Sequence, residues 1–210
     1  MILHLASSPT KSKTVDVEGT SRLMAAAQRC GAPHLVYVSI VGVDRIPWPY
    51  YRSKLAAEES VAASGLPYSI QRMTQFHDFI LLWLWYGSRL PVAVVPRSMS
   101  AQPLDVRDAS TRLLHLLDER PQGRVPDMGG PEVLDAAALM RVLLSALDSH
   151  KRVVGVPIPG GVASGFRSGY HLTPEHADGS LTFASFVSEH LRRDGDEVTV
   201  EVPYRGSRRV

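Results

Sequence analysis

The feature that most constrains the fold is the alternation of strand and helix patterns in the first 73 residues. Short apolar runs alternate with helical stretches that glycines close. The clearest run, Leu35–Ile40, is continuously apolar and rich in β-branched and aromatic residues, as in a strand covered on both faces. We predict strands at Leu3–Ala6, Leu35–Ile40 and Tyr68–Met73, and helices at Val15–Cys30 and Tyr50–Ser64. Short connections between such elements indicate βαβ units, so the expected fold class is α/β with a parallel sheet.

The second half of the chain is less regular, but it contains further helix and strand patterns. We predict helices at His77–Tyr86, Asp108–Glu119, Asp135–Ser149 and Thr182–Arg193, and strands at Val92–Val95, Val125–Met128 and Val153–Ile158. The whole chain of 210 residues is 44% hydrophobic and 21% charged, which is close to the average of globular proteins. We therefore expect one domain over residues 1–210.

Charge and cysteine content exclude several classes of protein. Lysine and arginine number 23 against 21 aspartate and glutamate, and a net charge of +2 is too balanced for binding nucleic acid through phosphates. The single cysteine, Cys30, favours a reducing, cytoplasmic compartment. The most apolar window, Phe79–Tyr86, is too short to span a membrane, and no histidine or cysteine spacing suggests a metal site.

Three residues could carry acid–base chemistry together. Tyr50 and Lys54 lie four residues apart on a predicted helix, so their side chains project from the same face. An ammonium group near a phenol favours the phenolate, so we expect Lys54 to lower the pKa of Tyr50. The phenol could then act as a general acid or base toward a carbonyl or an alcohol. Ser39 ends a predicted buried strand and could hydrogen-bond the same substrate oxygen. The alternative interpretation is a surface lysine beside a core tyrosine.

Several stretches, in this order, resemble the extended and atypical short-chain dehydrogenase/reductases, and most of all their NmrA-like, NAD(P)-binding branch. These stretches are Val15-Asp16-Val17-Glu18-Gly19-Thr20-x-x-Leu23, His34–Ser39, Tyr50-x-x-x-Lys54, Gln71–His77, Gln102–Asp108 and Gly129–Glu132. The resemblance covers essentially the whole chain. It implies a partial Rossmann-like, doubly wound parallel sheet, with residues from about 77 to 210 contributing a smaller substrate-side region.

The same resemblance assigns roles to eight residues. It implies that the catalytic positions are Ser39, Tyr50 and Lys54, and that Lys54 also holds the nicotinamide ribose. It implies that the other cofactor-binding positions are Ala6 and Ser7 after the first strand and Thr74, Gln75 and Phe76 after the third. The alternative for Thr74, Gln75 and Phe76 is that these residues only pack against the core and cap the following helix. The implied cofactor is NAD(P), with NADP slightly preferred.

The sequence departs from this family at the glycine-rich turn. Such folds hold the cofactor pyrophosphate at a turn between the first strand and a helix, and no G-x-G-x-x-G or G-x-x-G-x-x-G occurs in this chain. The sequence resembles the family from its fourth strand onward, and we expect about 70 family residues to be lacking. Two explanations are a gene start placed too late, which we favour, and a degenerate fragment. We expect weak NAD(P) binding by the 210-residue form, and an exposed edge at the first strand.

Three functions are compatible with these residues. The first is an NAD(P)-dependent oxidoreductase that acts on an unidentified carbonyl or alcohol, and the retained serine, tyrosine and lysine favour it. The second is a non-catalytic, NAD(P)-sensing regulator, and the third is an inactive truncated homologue. The expected partner is a small-molecule substrate, with self-association into a homodimer as a further expectation, and neither nucleic acid nor a membrane is expected as a partner.

Overall fold

The computed structural model describes residues 1–194 and 197–202. The strands are β1 (Ile2–His4), β2 (Leu35–Ile40), β3 (Tyr68–Met73), β4 (Ala93–Pro96), β5 (Ser100–Ala101), β6 (Gly123–Arg124), β7 (Leu134–Asp135), β8 (Val153–Val156), β9 (Leu191–Asp194) and β10 (Glu197–Val200). The α-helices are α1 (Thr20–Arg29), α2 (Pro49–Ala63), α3 (His77–Ser88), α4 (Val106–Asp118), α5 (Ala136–Ala146), α6 (Gly161–Arg167) and α7 (Phe183–Glu189). A π-helical segment covers Lys13–Gly19, and a single 3₁₀ turn covers Pro174–His176.

The main sheet is parallel and has the order β1-β2-β3-β6. Strand β2 is its centre, because Leu35 pairs with Ile2 of β1 on one side and with Tyr68 of β3 on the other. Within the described residues, β1 forms one edge of this sheet. The predicted α/β class with a parallel sheet is confirmed.

Helices cover both faces of the sheet, as a doubly wound arrangement requires. Leu35 and Tyr37 of β2 point to one face, where they pack with Met24 of α1 and Val61 of α2. Val36 points to the other face and packs in the cluster that contains Leu116 of α4. Because both faces are buried, β2 is apolar throughout most of its length rather than alternating.

A second layer is built from the later part of the chain. Strands β4 and β8 pair in parallel, and α3, α5 and α7 pack around them. Their shared core is almost wholly apolar, with Leu81, Met140, Leu143 and Phe183 completely buried. In chain order this layer begins with α3, which the loop Thr74–Phe76 connects to β3. The sequence resemblance assigns this loop to the cofactor.

The structure corrects three of the predicted elements. The helix predicted over Val15–Cys30 is divided into the π-helical segment and α1. The strand predicted at Val125–Met128 forms only in part: regular pairing with β3 is confined to Gly123–Arg124, and Met128 makes an isolated bridge to Met73. Pro126 interrupts the ladder because it has no N–H to donate.

The third correction concerns the last predicted helix, which ends at Glu189 rather than at Arg193. An antiparallel pair, β9 and β10, follows it. Val200 of this pair packs against the apolar core of the second layer, so burial of its side chain favours the extended conformation over a longer helix.

Candidate active site

Helix α2 places Tyr50 and Lys54 on one face, at the carboxyl ends of the parallel strands. The helix begins at Pro49, where the fixed φ of proline suits the first helical position, and Trp48 before it is extended. Lys54 points inward, and its side chain is only 4% exposed. Its Nζ donates a hydrogen bond to the carbonyl oxygen of Val38 at 2.7 Å. The ammonium is therefore held against the end of β2, as the predicted site requires.

A carboxylate that the sequence analysis gave no role lies beside this ammonium. Asp16 is completely buried, and its Oδ1 lies 3.8 Å from Lys54 Nζ. Asp16 also accepts hydrogen bonds from the Ser7 hydroxyl at 2.5 Å and from the Ser8 backbone N–H at 3.1 Å. The π-helical segment turns this residue toward the sheet, and π-helical turns are frequent at functional sites. The only sequence signal was an acidic residue inside one of the family-like stretches.

The hydroxyl of Tyr50 meets Ser7 rather than Ser39. Tyr50 OH and Ser7 Oγ are 2.7 Å apart, so Ser7 connects the phenol to the carboxylate of Asp16. Ser7 lies in the exposed loop after β1, next to Ala6, where the sequence resemblance expects the cofactor to pass. The structure thus brings together Ser7, Tyr50 and Lys54 of the predicted residues, with Asp16 as their common neighbour.

Ser39 is buried in β2, and its hydroxyl makes no hydrogen bond within the described residues. It pairs in register with Arg72 of β3 and precedes the last residue of its strand. No contact joins it to Tyr50 among the described interactions, so its predicted catalytic role stays a prediction. An unsatisfied buried hydroxyl at a strand end is a group that a bound ligand could satisfy.

The loop after β3 contains three residues that differ in their contacts. Thr74 is committed to the fold, because its hydroxyl donates to the Gln102 carbonyl at 2.6 Å and accepts from the Gly130 N–H at 3.3 Å. Phe76 packs against the core beneath α4 and precedes the first residue of α3. Gln75 differs from both, since its buried amide bonds to no backbone group and faces the hydroxyl of Tyr51. Of the three, Gln75 is the residue whose amide could turn to a ligand.

Burial and charge shift the proton affinities of both acid–base groups. Burial lowers the pKa of Lys54 to about 8, and the nearby carboxylates of Asp16 and Glu58 oppose this shift. Burial also raises the pKa of Tyr50; the hydrogen bond with Ser7 lowers it, and the charge of Asp16 raises it further. The pKa of Tyr50 is thus raised rather than lowered as expected, because burial and the charge of Asp16 disfavour the phenolate.

An aromatic cluster borders Tyr50 on its outer side. The Trp48 ring meets the Tyr50 ring edge to face at 5.7 Å, and it also contacts Tyr51 at 5.1 Å and Phe166 at 6.3 Å. Phe166 comes from α6, a helix that the sequence analysis did not predict. The Tyr50 ring is thus bordered by aromatic side chains, whereas its hydroxyl faces Ser7.

The described residues contain neither a metal-binding group nor a membrane-spanning helix. No group of three or more histidine, cysteine, aspartate or glutamate side chains is placed to hold a metal ion in the described part of the chain. None of the helices there combines the length and the apolar character that crossing a membrane would need.

Residues 2–79 match the protein family described as NAD(P)H-binding. Solved structures show the same fold over most of the chain. The NADPH-dependent quinone oxidoreductase of Escherichia coli in complex with NADPH matches with a TM-score of 0.72 and 16% identity, over 90% of this chain and 75% of that one. This chain has a Rossmann-like α/β fold. The resemblance found in the sequence is confirmed at this level.

Other solved structures support the same fold. RMD from Pseudomonas aeruginosa in complex with NADPH has a TM-score of 0.61 and 18% identity, over 87% of this chain and 77% of that one. A UDP-glucuronic acid 4-epimerase from Bacillus cereus, in complex with NAD, has a TM-score of 0.64 and 14% identity, over 89% and 73%. No curated protein matches the sequence.

The described residues fit the nicotinamide end of a dinucleotide. Ser7 Oγ, the Tyr50 hydroxyl and the Lys54 ammonium lie together beyond the carboxyl ends of β1 and β2, which is where open parallel sheets bind ligands. The amide of Gln75 and the unsatisfied hydroxyl of Ser39 lie at the ends of β3 and β2. For the pyrophosphate, the sequence contains no glycine-rich turn.

Proposed function

We propose that this protein is an NAD(P)-dependent oxidoreductase that reduces a carbonyl or oxidises an alcohol. The observation that carries the proposal is the placement of Tyr50 and Lys54 on one face of α2, with the Tyr50 hydroxyl hydrogen-bonded at 2.7 Å and the Lys54 ammonium buried. A dinucleotide-binding fold does not need the Tyr50 phenol merely to bind its cofactor, so the presence of this phenol beside Lys54 favours catalysis over sensing. The family match to NAD(P)H-binding proteins supports the cofactor class.

Each residue has a part in this proposal. When bound, the reduced nicotinamide supplies a hydride to the carbonyl carbon. Tyr50 donates the proton to the carbonyl oxygen, or accepts it in the reverse direction. Lys54, held by the Val38 carbonyl, orients the nicotinamide ribose and places a positive charge near the phenol. Ser39 is proposed to donate to the substrate oxygen, which would satisfy its free hydroxyl.

The cofactor loops have proposed roles of a different kind. Ala6 and Ser7 border the path of the cofactor across the sheet, and Gln75 is placed to hydrogen-bond the nicotinamide or the substrate. Thr74 and Phe76 hold this loop in position through Gln102 and the core. The region after residue 77 supplies the substrate side, and the aromatic cluster around Trp48 favours an apolar or aromatic carbonyl compound.

We further propose that the 210-residue chain binds NADPH slightly better than NADH, and binds both weakly, because no glycine-rich turn is present to hold the pyrophosphate. We also propose a cytoplasmic location, which the presence of a single cysteine in the sequence supports. Titration of the protein into NADPH, followed by nicotinamide fluorescence, measures the affinity. Dissociation constants in the micromolar range would contradict the proposed weak binding.

The catalytic proposal is tested by comparing the protein with its Tyr50→Phe variant at saturating NADPH. The substrate panel should contain aliphatic ketones, aromatic aldehydes and quinones, since the neighbour from E. coli is described as a quinone oxidoreductase. We expect kcat to fall by about 100-fold or more, the usual contribution of a general acid, with NADPH binding unchanged. Tyr51→Phe is the matched control, and its kcat should stay within about threefold of the original.

A different result would favour the second candidate, an NmrA-like, NAD(P)-sensing regulator. Binding of NADPH without turnover of any carbonyl in the panel would contradict catalysis. Equal turnover by the protein and its Tyr50→Phe variant would remove Tyr50 from the mechanism.

A further inference from the structure

The buried carboxylate of Asp16 has no part in the chemistry described so far, although it pairs with Lys54 and is linked to Tyr50 through Ser7. We propose that Asp16 is a positioning residue that keeps Tyr50 and Lys54 in their protonated forms, and so adapts this site to reducing carbonyls. The inference rests on the proposed function. It adds a preferred direction of the reaction and a residue that sets it.

The hydrogen bonds define where the proton of Tyr50 points. A carboxylate can only accept, so the single proton of the Ser7 hydroxyl is used for Asp16 Oδ1 at 2.5 Å. Ser7 Oγ can then only accept from the Tyr50 hydroxyl, which lies 2.7 Å away. Tyr50 is thus the donor of this pair, and the pair requires its phenol to be protonated. The phenolate would lose this hydrogen bond unless Ser7 released Asp16.

The charge of Asp16 acts on both groups in the same direction. Its carboxylate lies 3.8 Å from Lys54 Nζ, and both side chains are almost fully buried, so water screens the interaction little. A negative charge there favours the ammonium of Lys54 and disfavours the phenolate of Tyr50. Removing the charge should therefore make both groups lose their protons at lower pH.

Other titratable groups face this cluster from each neighbouring element. They are His4 of β1, Tyr37 of β2, Glu58 of α2 and Arg72 of β3. The His4 ring bonds to Thr20, and Glu58 is paired with Arg72 at 2.7 Å. Burial lowers the pKa of His4, so this ring stays neutral near pH 7. Asp16 is thus the carboxylate of this cluster that is not neutralised by an arginine.

Carbonyl reduction at this site transfers one hydride to the carbonyl carbon and one proton from Tyr50 to the carbonyl oxygen. In the reducing direction, a hydride that the reduced nicotinamide would supply, giving up a C–H bond and becoming oxidised, would form the new C–H bond of the substrate. The O–H bond of Tyr50 breaks as its proton forms the substrate O–H bond. The phenolate left behind is disfavoured by the charge of Asp16, so Tyr50 regains a proton from solvent before the next turnover. Reduction needs Tyr50 and Lys54 both protonated, and it should fail when the pH rises past either pKa.

The test compares the pH profiles of carbonyl reduction in Asp16→Asn and in the unchanged protein. Asparagine keeps the size and can still accept from Ser7, but it has no charge. We expect the alkaline limb of the kcat profile to move to lower pH by about one unit or more. In Asp16→Glu, which restores the charge, the limb should return toward its original position.

Two controls separate the charge from the hydrogen bond and from general damage. Ser7→Ala breaks the link to Tyr50 but leaves the carboxylate, so its kcat should fall while the alkaline limb moves to lower pH by less than it does in Asp16→Asn. Glu18→Gln removes a carboxylate from the same π-helical segment, where it pairs with exposed Arg22, and it should leave the profile unchanged. A lower kcat in Asp16→Asn with an unmoved limb would reduce Asp16 to a structural residue and overturn the proposal.

A second readout does not depend on turnover. The ionisation of Tyr50 can be followed by phenolate absorbance near 295 nm, as the difference between each protein and its Tyr50→Phe counterpart. This step should occur at lower pH in the Asp16→Asn background than in the unchanged protein, whether or not a substrate is turned over. An unmoved step overturns the proposal, whereas absence of turnover with a moved step contradicts only the proposed function. If Asp16→Asn does not fold, a step moved to lower pH in Asp16→Glu overturns it as well.

Discussion

Two buried ion pairs lie one turn apart on the inner face of α2, and they are built differently. Glu58 accepts hydrogen bonds from two of the three guanidinium nitrogens of Arg72, at 2.9 and 2.7 Å. The third nitrogen donates to Asp44 at 3.0 Å. Lys54 lies 3.8 Å from Asp16, which is an ion-pair distance but not a hydrogen bond. All four main partners are at least nine-tenths buried.

The difference teaches which pair can exchange a proton. The Arg72 pair is bidentate and its guanidinium stays charged at any ordinary pH, so it acts as a brace between β3 and α2. The Lys54 pair is incompletely compensated, and burial lowers the pKa of Lys54 to about 8. A poorly satisfied buried charge costs stability, and such groups are concentrated at functional sites. Three measurements can break or sharpen this comparison.

The largest effect is expected from Arg72→Ala. It leaves Glu58 buried without its partner, and the free energy of unfolding should fall by about 3–5 kcal/mol, as measured by urea denaturation. The double variant Arg72→Leu with Glu58→Leu should lose less, because no charge remains unpaired.

Arg22→Ala is the surface control for this measurement. Arg22 forms an exposed pair with Glu18 at 3.3 Å, and its loss should change the free energy of unfolding by about 0.5 kcal/mol or less. A loss below about 1 kcal/mol in Arg72→Ala would show that the brace contributes no more than such a surface pair.

An intermediate effect is expected from Lys54→Met, and it should depend on pH. The pKa of Lys54 is about 8 in the folded state and 10.5 in a free side chain. Between these values the unfolded chain keeps a proton that the folded chain has released, so stability contributed by Lys54 rises with pH. Relative to Lys54→Met, the unchanged protein should gain at most about 1.4 kcal/mol per pH unit from pH 8 to 10. A difference that is flat across this window would contradict the view that Lys54 is the titrating member.

The smallest effect is expected from Asp44→Asn. Burial pushes the pKa of Asp44 up, but the hydrogen bond and charge of Arg72 outweigh it and leave the pKa lowered. The stabilisation is therefore present above the ordinary pKa of a carboxyl and is lost as the pH falls through the lowered value. At pH 7 we expect a loss of about 0.5 kcal/mol in Asp44→Asn, because this side chain is 44% exposed and water screens its charge. This loss should shrink on acidification, and a loss that is constant down to pH 2 would exclude the ionic contribution.

The strands and helices that could be read from the sequence are those with strong periodic patterns. Leu35–Ile40 and Tyr68–Met73 were predicted with the bounds the structure has, because continuous apolar runs leave little choice for a central strand. The end of α7 could not be predicted. His190 and Leu191 are compatible with helix, and only the packing of Val200 against a distant core selects the hairpin.

The contacts of the candidate site also differ in whether the sequence predicts them. Helical spacing alone places Tyr50 beside Lys54 on one face of α2. The same spacing gives no sign that Ser7, 43 residues away along the chain, takes the hydrogen bond of Tyr50. Nor does it show that the Thr74 hydroxyl donates to the Gln102 carbonyl while the amide of the neighbouring Gln75 bonds to no backbone group.

The sequence by itself determined the fold class, the positions of the central strands along the chain and the placement of Tyr50 and Lys54 on one helix face, because these depend on periodicities of two and 3.6 residues. Only the tertiary structure decided that Asp16 is buried against Lys54 and connected to Tyr50 through Ser7. That arrangement depends on how a π-helical segment and the end of β1 meet in space. It sets the proton affinities of the site, because a charge acts through distance and burial, which local sequence patterns do not encode.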